Sequence, residues 1–433
     1  MLSIQFIREN PELVKTKSKQ KGYDVDIDQL LELDKKHQGI LAQVEPLRHE
    51  RNQLAESFKG QKPSDEALEK GKKLRESINK LEEELKGLNK EINALLYQVP
   101  NMPLDDVPVG TSEDDNVVAK TVGEIPKFDF EPKNHGQIAE NRGWLDKERA
   151  AKVAGSRFAY LMGDLVRLQW AMVSFAMDQL SNEEVLKEIA KKNNLNVSTK
   201  PFLPTLPPAM ARTEVYEATG RLDSDQQTYR AGTEEDDLWL NASAEHTLSP
   251  MYLNEIIDEK DLPLRYVGYT TAFRREAGTY GKDMEGFLRM HQFDKLEMEC
   301  FTTAETSLNE HLFQIAIQEH LTAALSLPYR VLMKCTADIG KPNARGVDID
   351  TWMPGQNKYR ETHTADHITD YQTRAMRTRV RKSDGTIELA HTNDATAFAQ
   401  RTLIAIIENY QQEDGTVRVP EVLQPYMGGK KVL

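Results

Sequence analysis

Hydrophobic residues recur at alternating intervals of three and four positions along two stretches near the N-terminus. The first series runs from Leu30 to Phe58, the second from Gly71 to Val99, and Gly60–Ser64 separates them. A seven-residue repeat sustained over four repeats is typical of helices that pack in a coiled coil. Because the connection is short, we predict that the two helices pair as an antiparallel hairpin with arms about 45–55 Å long.

Prolines interrupt and end this hairpin. Pro46 lies inside the first series and predicts a kink there, because proline removes a helix hydrogen bond and clashes with the preceding turn. Pro100 predicts the end of the second helix, and an extended linker follows to Gly110.

Beyond about residue 130 the pattern changes to short strands mixed with helices. Helices are predicted over roughly residues 165–180, 181–192 and 397–412, around two strand-rich blocks. This order is typical of an α+β fold with a mostly antiparallel sheet flanked by helices. We therefore predict two domains: residues 1–110, with the coiled-coil arm at about 27–99, and residues 111–433.

Charge is distributed unevenly along the chain. The net charge of -13 argues against a general coat on DNA or RNA. Residues 28–91 are nearly neutral, with 14 acidic and 13 basic residues. The basic side chains gather on both sides of the hairpin tip: Arg48, Arg51, Lys59, Lys62, Lys70, Lys72, Lys73 and Arg75. They indicate either an ordinary solvated coiled coil or an arm that lies on a phosphate backbone.

Several classes of protein are disfavoured by composition. The longest proline-free stretch without a charge, Leu168–Met177, is about half the ~20 residues that a membrane-spanning helix needs, so we expect no membrane association. Arg8 and Glu9 precede any signal-type apolar run. Two cysteines, Cys300 and Cys335, predict neither a disulfide framework nor a thiolate zinc site, and a reduced cytoplasmic setting follows.

The strongest chemical signal is a strand–loop–strand block between Leu264 and Phe301. The predicted strands are Leu264–Arg274 and Arg289–Phe301, and the loop between them is rich in glycine and charge. Alternate residues of the second strand share one face: Arg289, His291, Phe293, Lys295 and Glu297. Cations, an aromatic ring and a carboxylate on one face indicate a ligand site, although such a face can also simply meet water.

Phe273-Arg274-Arg275-Glu276 in this setting resembles motif 2 of the class II aminoacyl-tRNA synthetases. Three blocks are similar to the bacterial-type seryl-tRNA synthetases: LPLRYVGYTTAFRREAG, HQFDKLEME and ENYQQEDGTVRVPEVLQPYMGG. The resemblance covers nearly the whole chain. It implies a class II catalytic domain and an enzyme that activates L-serine with ATP and transfers it to tRNA(Ser), with tRNA(Sec) as a second acceptor to be tested.

The same resemblance assigns the nucleotide site. It gives catalytic roles to Arg274, which would contact the α-phosphate and the amino acid carboxylate, to Glu276 at the ATP end, and to Arg401 at the outer phosphates. The implied ATP site is completed by Arg275, Arg289, Met290, Phe293, Glu361, Thr362, His363 and Thr364. Glu361 and Thr364 match the pair that holds Mg²⁺, an ion that takes oxygen ligands. No zinc is expected, and a site from His363 and His367 is disfavoured because thiolates are lacking.

The implied serine site combines three parts of the chain: Ser243, Ala244, Glu245, Arg274, Glu297, Asn393 and Ala395. The chain departs from the family here, because it has Asn393-Asp394-Ala395-Thr396 where Asn-Gly-Ser or Asn-Gly-Thr is common. Ala395 stands where a hydroxyl usually meets the substrate, and its loss could cost about 1–3 kcal/mol of selectivity. Thr396 and Asn393 are the candidates to compensate. Residues 341–346 and 363–367 also differ from the common pattern.

The resemblance also implies a homodimer, since Leu206-Pro207-Pro208 resembles the dimer-forming motif 1. Two other functions are compatible with parts of the sequence. One is a class II synthetase-like ligase that activates another small amino acid for a carrier protein, which Ala395 favours slightly and the long arm disfavours. The other is a non-catalytic scaffold, which the retained set of site residues disfavours. For the arm, the predicted tRNA contacts are Arg48, Arg51, Lys59, Lys62, Lys72 and Lys73.

Overall fold

The computed structural model of this protein describes residues 1–59, 63–222, 228–233, 235–276 and 286–433. The chain forms two compact units, Met1–Pro100 and Asn101–Leu433. Lys62 and most of the loop predicted after Glu276 lie outside the described residues. In the described part of the chain, no helix has both the length and the apolar character needed to cross a bilayer.

The described residues of the N-terminal unit form helices and short connections. Its helices are α1 (Ile4–Glu9), α2 (Pro11–Gln20), α3 (Ile27–Ser57) and α4 (Asp65–Gln98). The last two are the predicted hairpin, and their lengths of 31 and 34 residues correspond to about 46 and 51 Å at 1.5 Å per residue. Each begins at a capping side chain that accepts a backbone N–H: Asp26 from Gln29 at 2.8 Å and Ser64 from Ala67 at 3.2 Å.

The seam of the hairpin is apolar and narrow. Ile40 and Val44 of α3 pack with Ile78 and Leu85 of α4. On its flank, Arg48 Nη2 lies 2.7 Å from Glu82 Oε1, an ion pair between the two helices. Helix α3 continues through Pro46, so the predicted kink does not break the helix.

The larger unit mixes helices and strands. Its helices are α5 (His135–Asn141), α6 (Lys147–Ala154), α7 (Asp164–Leu180), α8 (Glu183–Lys192), α9 (Thr213–Thr219), α10 (Glu245–Leu248), α11 (Ser307–Ala324), α12 (Tyr371–Met376) and α13 (Gln400–Asn409). Its strands are β1 (Val117–Val122), β2 (Leu145–Asp146), β3 (Tyr160–Leu161), β4 (Leu203–Thr205), β5 (Met210–Arg212), β6 (Arg230–Ala231), β7 (Leu238–Leu240), β8 (Ile256–Asp258), β9 (Leu264–Phe273), β10 (Gln292–Thr302), β11 (Tyr329–Met333), β12 (Arg345–Met353), β13 (Lys358–Thr369), β14 (Arg379–Arg381), β15 (Ile387–Leu389) and β16 (His391–Ala399).

An eight-stranded sheet organises this unit. Its order is β1-β11-β12-β13-β16-β10-β9-β4, and all neighbours are antiparallel except β4 and β9. The mixed fold with an antiparallel-dominated sheet is thus confirmed. The last helix begins at Gln400 rather than near residue 397, because β16 continues to Ala399.

One face of the sheet is covered by the apolar core. Leu168 of α7, Phe313 of α11 and Ile404 of α13 belong to this core, together with Leu296 and Phe398 from the sheet. The pairing of β10 with β16 contains a bulge: Leu296 pairs with Phe398 but Glu297 pairs with Thr396, which leaves Ala397 without a partner. The opposite face of the sheet carries polar side chains and is open to a cavity.

Candidate active site

A cavity of about 300 Å³ lies on the polar face of the central strands. Its walls come from β10, β13 and β16, from the segment that follows β9, from α10, and from the start of α13. Most of the lining side chains are polar or charged: Arg221, Ser243, Glu245, His246, Arg274, Glu276, Arg289, Lys295, Glu297, Lys334, Glu361, Thr362, Thr364, Asp366, Asp394, Thr396, Gln400 and Arg401. The apolar ones are Leu288, Met290, Phe293 and Ala399. Twelve of the predicted site residues are therefore brought together.

One end of the cavity is rich in arginine. Arg274 follows the last residue of β9, its guanidinium carbon lies 5.2 Å from the centroid of the Phe293 ring, and its Nε donates to the Ala242 carbonyl at 3.2 Å. Glu276 accepts from Arg289 Nη1 at 2.9 Å. Glu276 has a φ of 51°, a left-handed conformation that turns the chain sharply where the strand ends. Cations held at fixed positions beside an aromatic ring suit a phosphate-bearing ligand with a flat base.

Arg401 and Glu361 complete this end. Arg401 Nη1 lies 3.0 Å from Glu361 Oε2, and Glu361 Oε1 accepts a hydrogen bond from Thr364 Oγ1 at 3.2 Å. Withdrawal from bulk water opposes ionisation of Glu361, but the charges of Arg401, Lys334 and Arg274 outweigh it and lower the pKa of this carboxyl to about 2. A permanently ionised carboxylate beside a hydroxyl on the cavity wall fits a Mg²⁺ ion, which takes one or two carboxylates and completes its shell with phosphates.

The other end of the cavity is rich in carboxylates. Ser243 Oγ hydrogen-bonds to Glu297 Oε2, and Lys295 Nζ lies 2.5 Å from Glu297 Oε1. Glu245 opens α10, and its Oε1 accepts from Arg221 Nε at 2.6 Å. Glu245 and Glu297 are both more than 95 % buried. Paired buried carboxylates beside a hydroxyl suit the ammonium group of a small amino acid.

Five predicted contacts lie elsewhere. Ala395 is fully buried in the apolar core, because strand alternation turns it away from the cavity while Asp394 and Thr396 face it. The same alternation places Asn393 on the core side, where its Nδ2 donates to the Ser307 carbonyl at 3.1 Å. The prediction that Ala395 faces the substrate is thus corrected, and Thr396 carries the hydroxyl of this strand on the cavity side.

Ala244, His363 and Arg275 are the other three. Ala244 packs in a small apolar cluster with Leu248. The fully buried ring of His363 lies 5.8 Å from that of Phe398, on the core side of β13. The guanidinium carbon of Arg275 lies 5.8 Å from the centroid of the Tyr229 ring, and Arg275 does not line the cavity.

The second predicted strand also differs at its start. Strand β10 begins at Gln292, so the shared face holds for Phe293, Lys295 and Glu297 but not for His291. The His291 ring lies 5.3 Å from that of Phe158, and its Nδ1 lies 2.9 Å from the Arg274 carbonyl oxygen. His291 therefore supports the backbone of Arg274 rather than facing the cavity.

Sequence reasoning missed four charged residues of the cavity. Arg221 and Lys334 follow α9 and β11 and carry no motif of their own, whereas Asp366 and Asp394 fall in two of the three segments that depart from the family pattern. Burial, together with Glu245 and Asp366, raises the pKa of the Asp394 carboxyl well above its usual range. The departures from the family pattern were the available signal.

Two family models match the chain. The model described as the seryl-tRNA synthetase N-terminal domain matches residues 1–103, and the tRNA synthetase class II core domain (G, H, P, S and T) matches residues 229–410. One match covers the N-terminal unit and the other covers the central part of the larger unit.

Full-length relatives agree with these models. The chain is 38 % identical to a serine–tRNA ligase of Deinococcus radiodurans, with 100 % of this chain and 99 % of the relative covered. It resembles the crystal structure of the seryl-tRNA synthetase of Pyrococcus horikoshii complexed with ATP, with 38 % identity, a TM-score of 0.86, and 100 % and 99 % coverage. It also resembles the crystal structure of a cytoplasmic serine–tRNA ligase of Naegleria fowleri in complex with AMP, with 31 % identity and a TM-score of 0.83. That comparison covers 100 % of this chain and 98 % of the other. The chain belongs to the seryl-tRNA synthetase family.

Proposed function

We propose that this chain is a serine–tRNA ligase that joins L-serine to ATP, releases pyrophosphate, and transfers the seryl group to tRNA(Ser). The observation that carries this proposal is a single cavity with arginines at one end, Arg274 and Arg401, and paired carboxylates with a hydroxyl at the other. Full-length serine–tRNA ligase relatives support the same activity. The carrier-protein alternative is not favoured, because the tRNA synthetase N-terminal domain is present.

Adenylation brings together two anions, the serine carboxylate and the α-phosphate of ATP. The charge of Arg274 at the arginine-rich end of the cavity reduces this repulsion and orients the carboxylate for in-line attack on the α-phosphorus. Arg401 stabilises the negative charge that builds on the departing pyrophosphate. Transfer follows when a ribose hydroxyl of tRNA attacks the carbonyl carbon and AMP leaves, so no protein nucleophile is needed.

Glu361 and Thr364 are the residues that would hold Mg²⁺. When bound, the ion supplies additional positive charge for the phosphates. Phe293 offers a face for the adenine base, and Arg289 is held by Glu276 near the outer phosphates. At the serine end, Glu245 takes the ammonium group, while Ser243 and Glu297 close around the side chain.

The helical hairpin is the proposed tRNA-binding element. Lys59, Lys72 and Lys73 are exposed near its tip, where they can meet phosphates. Arg48 has a second role, because its ion pair with Glu82 ties the two helices together. Arg51 donates to Asn52 Oδ1 at 3.0 Å on the helix surface.

We also propose a homodimer that works in the cytoplasm. Leu203 on the edge strand β4 and the following Leu206 are 60 % and 80 % exposed, an apolar edge that a second copy would cover. Both cysteines are free and buried, which suits a reducing compartment. The hydrodynamic size of wild type and Leu206→Asp tests the dimer: a shift to the monomer in the variant supports it.

Pyrophosphate exchange tests the central proposal. ATP–pyrophosphate exchange is measured with each of the twenty amino acids at saturating Mg²⁺, and L-serine is expected to drive the fastest exchange. Threonine, alanine and glycine are expected to be poor substrates. Faster exchange with glycine or alanine than with serine would assign the chain to a different ligase.

A further inference from the structure

Three carboxylates form a row across the central sheet. Asp394 on β16 pairs with Asp366 on β13 and with Glu299 on β10, so the three side chains emerge side by side on the same face. Like charges directly opposite each other on neighbouring strands destabilise a sheet. A fold that keeps such a row uses it for a positive charge.

The row is short of partners. Asp366, Asp394 and Glu299 are 5 %, 4 % and 0 % exposed, yet Asp366 Oδ1, Asp394 Oδ1 and both Glu299 oxygens accept no hydrogen bond from any described residue. Arg221 Nη2 lies 3.6 Å from Asp394 Oδ1 and 4.0 Å from Asp366 Oδ2, beyond hydrogen-bonding distance. Arg221 is thus within reach of an ion pair with this row, and Asn343 hydrogen-bonds to the Asp366 carboxyl. A buried carboxylate oxygen without a donor is costly, so the named oxygens of Asp394 and Asp366 are suited to accept hydrogen bonds from a ligand.

Asp394 faces the carboxylate-rich end of the cavity, where the amino acid is proposed to bind. It lines the cavity, and one oxygen from each of Glu245, Glu297 and Asp394 lies within 4.8 Å of the other two. Four carboxylates meet here, those of Glu245, Glu297, Asp366 and Asp394, against three cations, Arg221, Lys295 and Lys334. With the α-ammonium group of the substrate at Glu245, the Oδ1 atom of Asp394 still lacks a hydrogen-bond donor.

We infer that Asp394 contacts the side chain of the substrate and that the site also activates a short diamino acid, 2,3-diaminopropanoate, in which an amino group replaces the hydroxyl of serine. This inference rests on the proposed adenylation function and extends its range of substrates. One ammonium group meets Glu245, as in serine, and the side-chain ammonium donates to Asp394 and Glu297.

A metal ion is the competing occupant. The trio of Glu245, Glu297 and Asp394 is close enough to hold one. However, Glu245 already pairs with Arg221 at 2.6 Å and Glu297 with Lys295 at 2.5 Å, so a divalent ion would lie against two fixed cations. An ammonium group brings one charge and three donors, which suit oxygens that lack hydrogen bonds.

The chemistry is unchanged by the second amino group. A carboxylate oxygen of the diamino acid forms a bond to the α-phosphorus while the bond from that phosphorus to the bridging oxygen breaks, and pyrophosphate leaves with the electron pair. Both ammonium groups keep their protons and take no part in the displacement.

The experiment compares L-serine, L-2,3-diaminopropanoate and L-alanine in ATP–pyrophosphate exchange. Wild type is compared with Asp394→Asn, which keeps the shape and removes the charge, and with Glu299→Gln, which removes a charge from the row behind the cavity. We expect diaminopropanoate to drive exchange in wild type well above alanine. Asp394→Asn should lower its kcat/KM by about 30-fold or more. The same variant should lower kcat/KM for L-serine by less than about tenfold, because the asparagine side chain keeps an oxygen that can accept a hydrogen bond from the serine hydroxyl.

Serine exchange in each preparation shows that the variant is folded and active. Retained diaminopropanoate activity in Glu299→Gln supports direct contact by Asp394. Serine exchange without diaminopropanoate exchange in wild type would overturn the inference and leave the proposed function standing, whereas no exchange with any amino acid would overturn the proposed function itself. Binding of one Zn²⁺ or Mn²⁺ per chain in equilibrium dialysis, lost in Asp394→Asn, would assign the carboxylates to a metal ion and also overturn it.

Discussion

The guanidinium of Arg274 lies over the ring of Phe293, with 5.2 Å between the guanidinium carbon and the ring centroid. This contact and the hydrogen bond to the Ala242 carbonyl fix the arginine where β9 ends. A planar cation held at two points is already oriented before ATP arrives, so little side-chain entropy is lost when it binds phosphate.

Removing either cavity arginine should abolish most adenylation. We expect Arg274→Ala and Arg401→Ala each to raise the activation barrier by about 2–4 kcal/mol, since each removes a charge that stabilises the transition state. Exchange rates and thermal midpoints are measured together, with Arg381→Ala as the control because Arg381 lies in β14 and pairs with Asp258 outside the cavity. Rates within a few-fold of wild type would refute these roles.

Glu361→Gln should raise the Mg²⁺ concentration needed for half-maximal exchange. We expect an increase of about tenfold or more, because the charged ligand is lost while the shape is kept. Since the pKa of Glu361 is held at about 2, the carboxylate stays ionised and the Mg²⁺ requirement of wild type should not change between pH 6 and pH 9 through this group. An unchanged requirement in the variant would remove Glu361 from the metal site.

Protonation of His363 should make the free energy of unfolding depend on pH. Burial is the main cause that lowers its pKa to about 4, below the ordinary value of 6.5. In the unfolded chain the imidazole binds a proton near pH 6.5, whereas in the folded chain it does so only near pH 4. Unfolding therefore takes up a proton over this interval, and stability falls as pH falls, on the order of 2–3 kcal/mol for this group.

The check is a series of thermal midpoints from pH 7.5 to pH 4.5 for wild type and His363→Gln. The variant should lose less of its midpoint over that interval than wild type does. Parallel curves for the two proteins would show that His363 does not carry this dependence.

Shortening the hairpin should separate adenylation from transfer. Replacing residues 48–82 by a short glycine–serine turn keeps α1 and α2 and their ion pairs with the base of α3, such as Arg8 with Asp34 at 2.5 Å. Serine-dependent exchange should stay near the wild-type rate while charging of tRNA(Ser) falls steeply. If charging of tRNA(Ser) is undiminished, the hairpin is not needed for transfer of the seryl group.

The exposed lysines at the tip should set the salt dependence of tRNA binding. Replacing Lys59, Lys72 and Lys73 by Gln should reduce the slope of log K for tRNA binding against log[salt] by about 2–3. The reason is that fewer counterions are released from the tRNA when fewer of its phosphates are contacted. The matched control replaces Lys80, Lys86 and Lys90, exposed lysines of the same helix α4 nearer its C-terminal end. Equal slopes in the two triple variants would argue against a tip-specific contact.

Local periodicity was enough for much of the fold. The three-four spacing from Leu30 onward depends only on helix geometry, so it located α3 and α4, and the apolar run at 165–180 located α7. Strand β9 ended within one residue of its predicted end. The start of β10 was predicted three residues too early, at Arg289. Arg289 and Met290 line the cavity from the segment that precedes the strand.

The cavity could be predicted only where a motif names its residues. Arg274, Glu297 and Arg401 were found in this way, whereas Arg221 and Lys334 reach the cavity through tertiary folding that no local pattern encodes. Ala395 was placed on the wrong face because the choice between two faces of a strand depends on register, and register depends on pairing with β10 and β13.

The bulge at Ala397 divides β16 into two parts that differ in phase. Upstream of the bulge, the even-numbered residues Asp394 and Thr396 line the cavity; downstream of it the odd-numbered Ala399 does, and helix α13 begins at the next residue. The extra residue Ala397 reverses which positions of the strand, even or odd, face the cavity. Substitutions upstream of the bulge can therefore change which amino acid is accepted without altering the phase at Ala399, from which helix α13 starts with Arg401 in its first turn. The residues that select the amino acid and the helix that serves the phosphates can thus change independently in sequence.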